Sequence, residues 1–215
     1  MRELEREADP IDVTRLRCAI VGRGRLGRAL TGALRDAGVP VDGPLGRGAD
    51  CAQADVALLC VPDGEIANAA RAVAPGRLVG HCSGATALDP LAPHEAFSLH
   101  PLMTVPAEGA PPLRGATAAI AGATPRAAAV AAALARALGM ATVAVDDADR
   151  AAYHAAASIA SNFLVALEAA AERIAATAGV ERAALVPLVR ATVDNWATLG
   201  PRRALTGPLV RGDEA

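Results

Sequence analysis

Residues 18–37 read Cys-Ala-Ile-Val-Gly-Arg-Gly-Arg-Leu-Gly-Arg-Ala-Leu-Thr-Gly-Ala-Leu-Arg-Asp-Ala. Cys18 to Val21 is an apolar run of strand length, and from Leu26 the apolar residues recur at helical spacing. Between them lies Gly22-Arg23-Gly24-Arg25-Leu26-Gly27. A GxGxxG loop that follows a strand and opens a helix is the context a dinucleotide fingerprint needs. Gly22 would permit the tight turn, Gly24 the close approach of a pyrophosphate, and Gly27 the packing of helix on strand. The first helical amides, at Arg25, Leu26 and Gly27, would face the anion.

The same grammar repeats downstream. Val39–Leu45 is a second strand weakened by Pro40 and Gly43. Val56–Val61 is a third, bounded by Pro62-Asp63-Gly64, with Asp63 positioned to cap the next helix. Arg77–His81 is a fourth strand, and Phe97–Leu99 a short further one. Ala116–Ala121 and Ala141–Val145 flank a helix over Pro125–Leu138 that Thr124 would cap. Strands alternating with helices predict an α/β fold with a parallel sheet covered on both faces.

Beyond Val145 the pattern changes. Ala148–Ala178 contains neither Gly nor Pro, and as one helix it would be about 45 Å long. Gly179 ends it, and a second helix is expected over Glu181–Leu199, bent at Pro187. The organisation expected is a lead-in over residues 1–14, a dinucleotide-binding domain over 15–146 and a smaller all-α domain over 147–215, which reads as truncated.

Composition bounds the chemistry. The 215 residues carry a net charge of −2 and are 53% hydrophobic, but only four are aromatic, so the core must be Ala, Val and Leu. The near-neutral balance argues against a nucleic-acid face. All 21 basic residues are arginine, which excludes a Schiff base, a lysine acid and a Walker-type loop. Cys18, Cys51, Cys60 and Cys82 lack CxxC spacing and read as buried free thiols. The charged N-terminal residues are no secretory signal, and Ala151–Leu167 is too polar for a good membrane span. A cytoplasmic protein is expected.

Cofactor choice turns on the end of the second strand. Asp42 stands 20 residues after Gly22, the spacing of a ribose-binding acid in NAD proteins. Arg47 lies at the expected strand end and would pair with the 2′-phosphate of NADP. With Asp42 read as mid-strand, NADP is favoured and NAD stays open.

Several motifs together carry a family resemblance: Gly22–Gly27, Val61-Pro62-Asp63, His81-Cys82-Ser83-Gly84-Ala85, His100-Pro-Leu-Met103, Tyr153-His154, Ser161-Asn162-Phe163-Leu164, and Leu205-Thr-Gly-Pro208 with Arg211-Gly-Asp213. They resemble the Rossmann-like NAD(P)-binding oxidoreductases with a C-terminal helical domain of unknown function. These are relatives of pyrroline-5-carboxylate reductase and of the 6-phosphogluconate and β-hydroxyacid dehydrogenases. The resemblance implies a Rossmann-type doubly wound sheet, a cofactor site that includes Val61 and Pro62, and a helical domain that helps form a homodimer. In the hydroxyacid relatives a lysine four residues before an asparagine donates the proton. Here Asn162 matches the asparagine, but the position four before it is Ser158, so the proton must come from elsewhere.

His154, Ser158 and Asn162 are spaced four apart, which on one α-helix places them on one face. Asn162 could orient a substrate oxygen and His154 exchange a proton; helix packing is the competing account. Ser83, beyond the fourth strand, is a candidate for contact with nicotinamide or substrate. His100 is the first candidate for general acid. Thr206 and Arg211 could close over a substrate carboxylate, or belong to a helix-connecting loop at a dimer interface; Ser83 and Ser158 are further candidate substrate contacts, while Trp196 reads as core. His81, Cys82, His94 and His100 fit no standard zinc spacing, so no metal is expected. The reading is an NADP-dependent oxidoreductase acting on a small carbonyl or imine compound. A nucleotide-binding regulatory or scaffold protein without catalysis is the alternative from another class, and ketopantoate reduction the narrower one.

Overall fold

A computed structural model of the chain describes residues 11–106 and 113–206. The apolar runs form one seven-stranded sheet: β1 Cys18–Val21, β2 Val41–Leu45, β3 Val56–Leu59, β4 Leu78–His81, β5 Glu95–Pro101, β6 Thr117–Gly122 and β7 Ala141–Ala144. Their order is β2-β1-β3-β4-β5-β6-β7. β1 to β5 are mutually parallel, as the alternating pattern predicts. β6 runs antiparallel to β5, and β7 parallel to β6. The reversal has a local cause: just past β5 the Leu102 N–H donates to the Thr117 carbonyl at 2.8 Å, so the chain pairs back along the strand it has left.

Strand alternation divides the core between the two faces. Cys18, Ile20, Val56, Leu58, Leu78, Phe97 and Leu99 join Leu30 and Leu34 of α1 (Arg25–Asp36) and the buried Ala, Val and Leu of α3 (Pro125–Ala137). Ala19, Val21, Ala57, Leu59, Val79 and Ala96 face the other way, onto Ile66, Ala69 and Ala70 of α2 (Ile66–Ala72). Small helical residues let the helices sit close to the sheet, so a core with a single buried aromatic, Phe97, suffices among the described residues. Gly80 makes room for that ring: a Cβ there would lie 2.3 Å from it.

Local signals behave as expected where they are steric. Thr124 caps α3, its hydroxyl accepting from the Ala127 N–H at 3.1 Å, with Pro125 in the first turn. β2 tolerates Pro44 because it is the edge strand, and its register with β1 shifts between Ala19 and Val21. Asp63 does not cap with its side chain: a 3₁₀ turn, Asp63–Glu65, precedes α2.

The chain divides into two compact units between Ala157 and Ser158. α4 (Arg150–Ser158) therefore falls almost wholly in the sheet unit, tied there by the 3% exposed Arg150. The second unit holds a π-turn (Ile159–Phe163), α5 (Leu164–Thr177), α6 (Arg182–Leu199) and the short α7 (Pro201–Ala204). Arg182 grips Glu172 across the α5–α6 pair at 2.5 and 2.9 Å. Pro187 is accommodated inside α6. None of this unit's described residues is buried; Trp196, expected as core, is 58% exposed. The helical stretch Asp147–Thr177 is long and apolar enough to cross a membrane by length and composition, although its first turns are bound to the sheet by polar contacts.

Candidate functional site

Parallel strands β1 to β5 deliver their carboxyl ends to one edge of the sheet, where ligands of such folds sit. The glycine loop occupies its centre. Gly22 has φ +123°, and its N–H donates to the Leu45 carbonyl at 2.9 Å. A Cβ on Gly22 would lie 2.1 Å from the Cys60 carbonyl oxygen, and one on Gly27 would lie 1.9 Å from the Gly22 carbonyl oxygen. Gly24 differs: nothing lies within 4 Å of its Cβ position, and it precedes α1 without a side-chain cap. Two glycines are thus fixed by packing, while the third faces open space beside uncapped amides. That is the arrangement a pyrophosphate requires. Arg25 is exposed and Leu26 half-buried beside it.

At the end of β2, Arg47 is exposed and contacts Glu65 at 3.5 Å, a solvent-facing pair readily exchanged for another anion. Asp42 lies within β2, opposite Ala19, and its carboxylate accepts from Arg17 Nε at 2.9 Å. The spacing from Gly22 fits a ribose-binding acid, but the register puts Asp42 away from the carboxyl end. Val61 packs partly on the core, and Pro62 is exposed at the turn after β3.

Ser83 is occupied locally. Its hydroxyl oxygen accepts from the Ala85 and Thr86 amides at 3.2 and 3.0 Å and donates to Thr86 Oγ1 at 2.9 Å. That turn also fixes His81, fully buried, whose Nδ1 accepts from the Ser83 N–H at 3.2 Å. Its Nε2 must then donate to the Ala87 carbonyl at 3.1 Å. Burial lowers the His81 pKa, so this ring is a neutral structural brace.

His100, at the end of β5, is joined to Tyr153 of α4, with Nδ1 and the phenol oxygen 2.7 Å apart and the rings edge-to-face at 5.6 Å. Burial, reinforced by the charges of His154 and Arg150, brings the His100 pKa down to about 4. Near neutral pH the ring is uncharged and cannot act as an imidazolium acid by itself. Tyr153, its pKa raised by burial, keeps its proton. The pair is a neutral hydrogen-bonded couple. Gly84 is required by the same ring, since a Cβ there would come within 2.9 Å of the imidazole.

Beneath the couple Arg150 bridges two strata. Its Nε donates to Asp147 at 2.6 Å and its Nη2 to the buried Ser98 hydroxyl at 2.6 Å. Tyr153 and Arg150 were not among the candidates drawn from the sequence. The sequence hints at them only through the Tyr153-His154 motif and through two polar residues with helical i,i+3 spacing at the start of an Ala-rich helix. His154 is exposed on α4. Ser158 closes α4 and Asn162 falls in the π-turn of the second unit, exposed. Asn162 thus sits in a segment that bonds i to i+5, beyond the α-helical turns that carry His154 and Ser158. Thr206 is exposed after α7, and Arg211 lies outside the described residues. Among the described residues no group of three or more His, Cys, Asp or Glu side chains could hold a metal.

No curated protein sequence matches the chain. Solved structures do. A candidate NADP oxidoreductase from Bacteroides fragilis superposes with TM-score 0.79 at 19% identity, covering 94% of this chain and 88% of its own. A protein from Thermotoga maritima gives 0.71 at 24%, covering 91% and 85%. The pyrroline carboxylate reductase of Plasmodium falciparum, solved with NADP bound, gives 0.64 at 12%, covering 87% and 80%. Residues 116–215 match the model of a domain of unknown function, DUF2520, from β6 to the last residue. The chain shares its Rossmann-like fold with these structures, and its C-terminal part matches the DUF2520 model.

Proposed function

We propose that the protein is a soluble, cytoplasmic NADP-dependent oxidoreductase acting on a small carbonyl or imine compound, and that it works as a homodimer through its helical unit. The observation that carries this reading is the contrast within the glycine loop: packing excludes a side chain at Gly22 and Gly27 but leaves Gly24 open beside uncapped helical amides. Gly22, Gly24 and the amides of Arg25, Leu26 and Gly27 would seat the pyrophosphate, with Val61 and Pro62 flanking and Arg47 meeting the 2′-phosphate. Bound there, the nicotinamide supplies hydride transfer, and the protein supplies placement and electrostatics.

The His100–Tyr153 couple supports the protonation half. Tyr153 would give its phenolic proton to the substrate nitrogen or oxygen as the hydride arrives, while His100 Nδ1–H would hydrogen-bond the resulting phenolate until solvent returns a proton to it. A phenol oriented in this way offers the general-acid step that a lysine supplies in the hydroxyacid relatives. Asn162, Ser158, His154 and Thr206 remain proposed substrate contacts, as does Arg211. Ser83 enters as the residue that shapes the turn under His100.

The dimer reading rests on the second unit. A helix pair cannot enclose its own apolar surface, and Ile159, Phe163, Val165, Leu167, Ile174 and Leu188 are each more than half exposed. Light scattering is expected to give twice the chain mass.

The test is an NADPH-oxidation screen against 2-keto acids, ketopantoate included, and cyclic imines. Turnover with one of them, and its loss by a factor of about 10² to 10⁴ in Tyr153→Phe with NADPH affinity kept, is expected. Saturable NADPH binding with no turnover in either form would instead favour the regulatory protein. The complete absence of lysine is the feature that recommends that second reading.

A further inference from the structure

Cys60 and Cys82 stand side by side where β3 and β4 end. The register pairs Leu59 with His81, so the next residues face one another, and the Cys82 N–H donates to the Leu59 carbonyl at 3.2 Å. Their Sγ atoms are 3.7 Å apart. Neighbouring strands lie about 4.8 Å apart, within the roughly 4.4–6.8 Å that bridged Cα atoms span, so a bond is reached by side-chain rotation with a small adjustment of the two strand ends. Cys18 and Cys51 are buried elsewhere: Cys18 lies in the core on the α1 and α3 face, and Cys51 contacts the Ala49 carbonyl. Cys60 is half-buried and Cys82 is 7% exposed, so reagents arriving from solvent meet Cys60 first.

The pair also supports the glycine loop. The Cys60 carbonyl is what excludes a side chain at Gly22, and the Cys60 Cβ lies 3.4 Å from the Cβ position of Gly27. Any repositioning of Cys60 reaches both glycines that packing has fixed.

We propose that Cys60 and Cys82 form a reversible disulfide on exposure to hydroperoxides, and that closing it disturbs the seat of the glycine loop and weakens dinucleotide binding. The binding half rests on the function proposed above; the disulfide itself does not. In the first step the Cys60 sulfur attacks the peroxide oxygen and the O–O bond breaks. This leaves a sulfenic acid and an alcohol (water, from hydrogen peroxide) that carries away the thiol proton. In the second step the Cys82 sulfur attacks the Cys60 sulfur, the S–O bond breaks, and water leaves with the second thiol proton. Two thiols are oxidised by two electrons in total and one peroxide is reduced. A small dithiol reductant reverses the bond by exchange. Pairs of this kind in reducing compartments are commonly sensors rather than structural bridges.

The full-length protein is treated with hydrogen peroxide, then mapped by non-reducing peptide mass spectrometry and titrated with NADPH, before and after dithiothreitol. A peptide joining Cys60 to Cys82 is expected, lost in Cys60→Ala and in Cys82→Ala. NADPH affinity is expected to fall about fivefold or more on oxidation, to recover on reduction, and to resist peroxide in both variants. Two unlinked thiols after treatment, or a bridge involving Cys18 or Cys51, overturns the pair. A mapped Cys60–Cys82 bridge with unchanged NADPH affinity overturns the coupling. Failure of the fully reduced protein to bind NADPH removes the coupling together with the cofactor reading, while the peptide map still decides the disulfide.

Discussion

Lowering the pH should destabilise this protein through His100 before most carboxylates titrate. Its pKa drops from 6.5 to about 4 on folding, burial being the first cause. The groups facing the ring are Tyr153, His154 and Arg150 on α4, His81 on β4 and Asp63 after β3; of the charges, only Asp63 opposes desolvation and positive charge. Because the folded value is depressed, the unfolded chain takes up the extra proton between these limits. Stability is whole above pH 6.5 and is lost as the pH falls toward 4. Integrating that difference gives a loss of about 2 kcal/mol by about pH 5, and about 3 kcal/mol at most. Urea unfolding of the wild type and His100→Asn at about pH 7.5 and about pH 5 isolates it, since asparagine keeps a partner for Tyr153 but does not titrate. The gap between the two proteins should shrink by about 2 kcal/mol at the lower pH. A gap that stays constant would mean that the ring is solvated and protonates normally, and the neutral couple would lose its basis.

Four other substitutions separate packing from binding and from electrostatics. Gly24→Ala should melt like the wild type yet bind NADPH at least about tenfold more weakly, whereas Gly27→Ala, meeting the Gly22 carbonyl at 1.9 Å, should lower the melting temperature sharply. Arg47→Ala should raise the Kd for NADPH by about 10- to 100-fold, the worth of a charged hydrogen bond, and leave NADH unchanged in parallel titrations. Arg150→Met removes a positive charge near His100 and a partner of Ser98. NMR titration of the imidazole should then give a His100 pKa above the wild-type value, and thermal melting should show a less stable protein.

What could be read along the chain was whatever depends on near neighbours. The glycine loop was legible because Gly22, Gly24 and Gly27 act within one turn. The two core faces were legible because β1 and β3 are apolar throughout, as strands covered on both sides are, and the Thr124 cap because its bond spans three residues. The direction of β6 was not, since it depends on how the chain pairs back after Pro101 rather than on β6's own pattern. The polar stripe on the long helix presumes α-helical spacing throughout, whereas the π-turn Ile159–Phe163, which holds Asn162, left no mark in the sequence. Ser83 reads from its place beyond β4 either as a ligand contact or as a turn residue, and its hydroxyl is engaged in the turn Ser-Gly-Ala-Thr.

The couple of His100 and Tyr153 joins residues 53 apart in sequence, on β5 and α4, so no periodicity could announce it. Composition nonetheless narrows the field. A chain without lysine has only histidine, cysteine and tyrosine as proton donors between the carboxylates and arginine. At the carboxyl edge His81 is committed to the Ala87 carbonyl and Cys82 is buried against Cys60. Within the proposed function, Tyr153, hydrogen-bonded to His100, is therefore the donor proposed at this edge. The same argument accounts for Gly84, which gives the His100 ring its space, and for Arg150, whose charge helps keep that ring neutral. Three features that look unrelated in the sequence, a glycine after β4, an arginine at a helix start and a missing lysine, thus bear on one hydrogen bond.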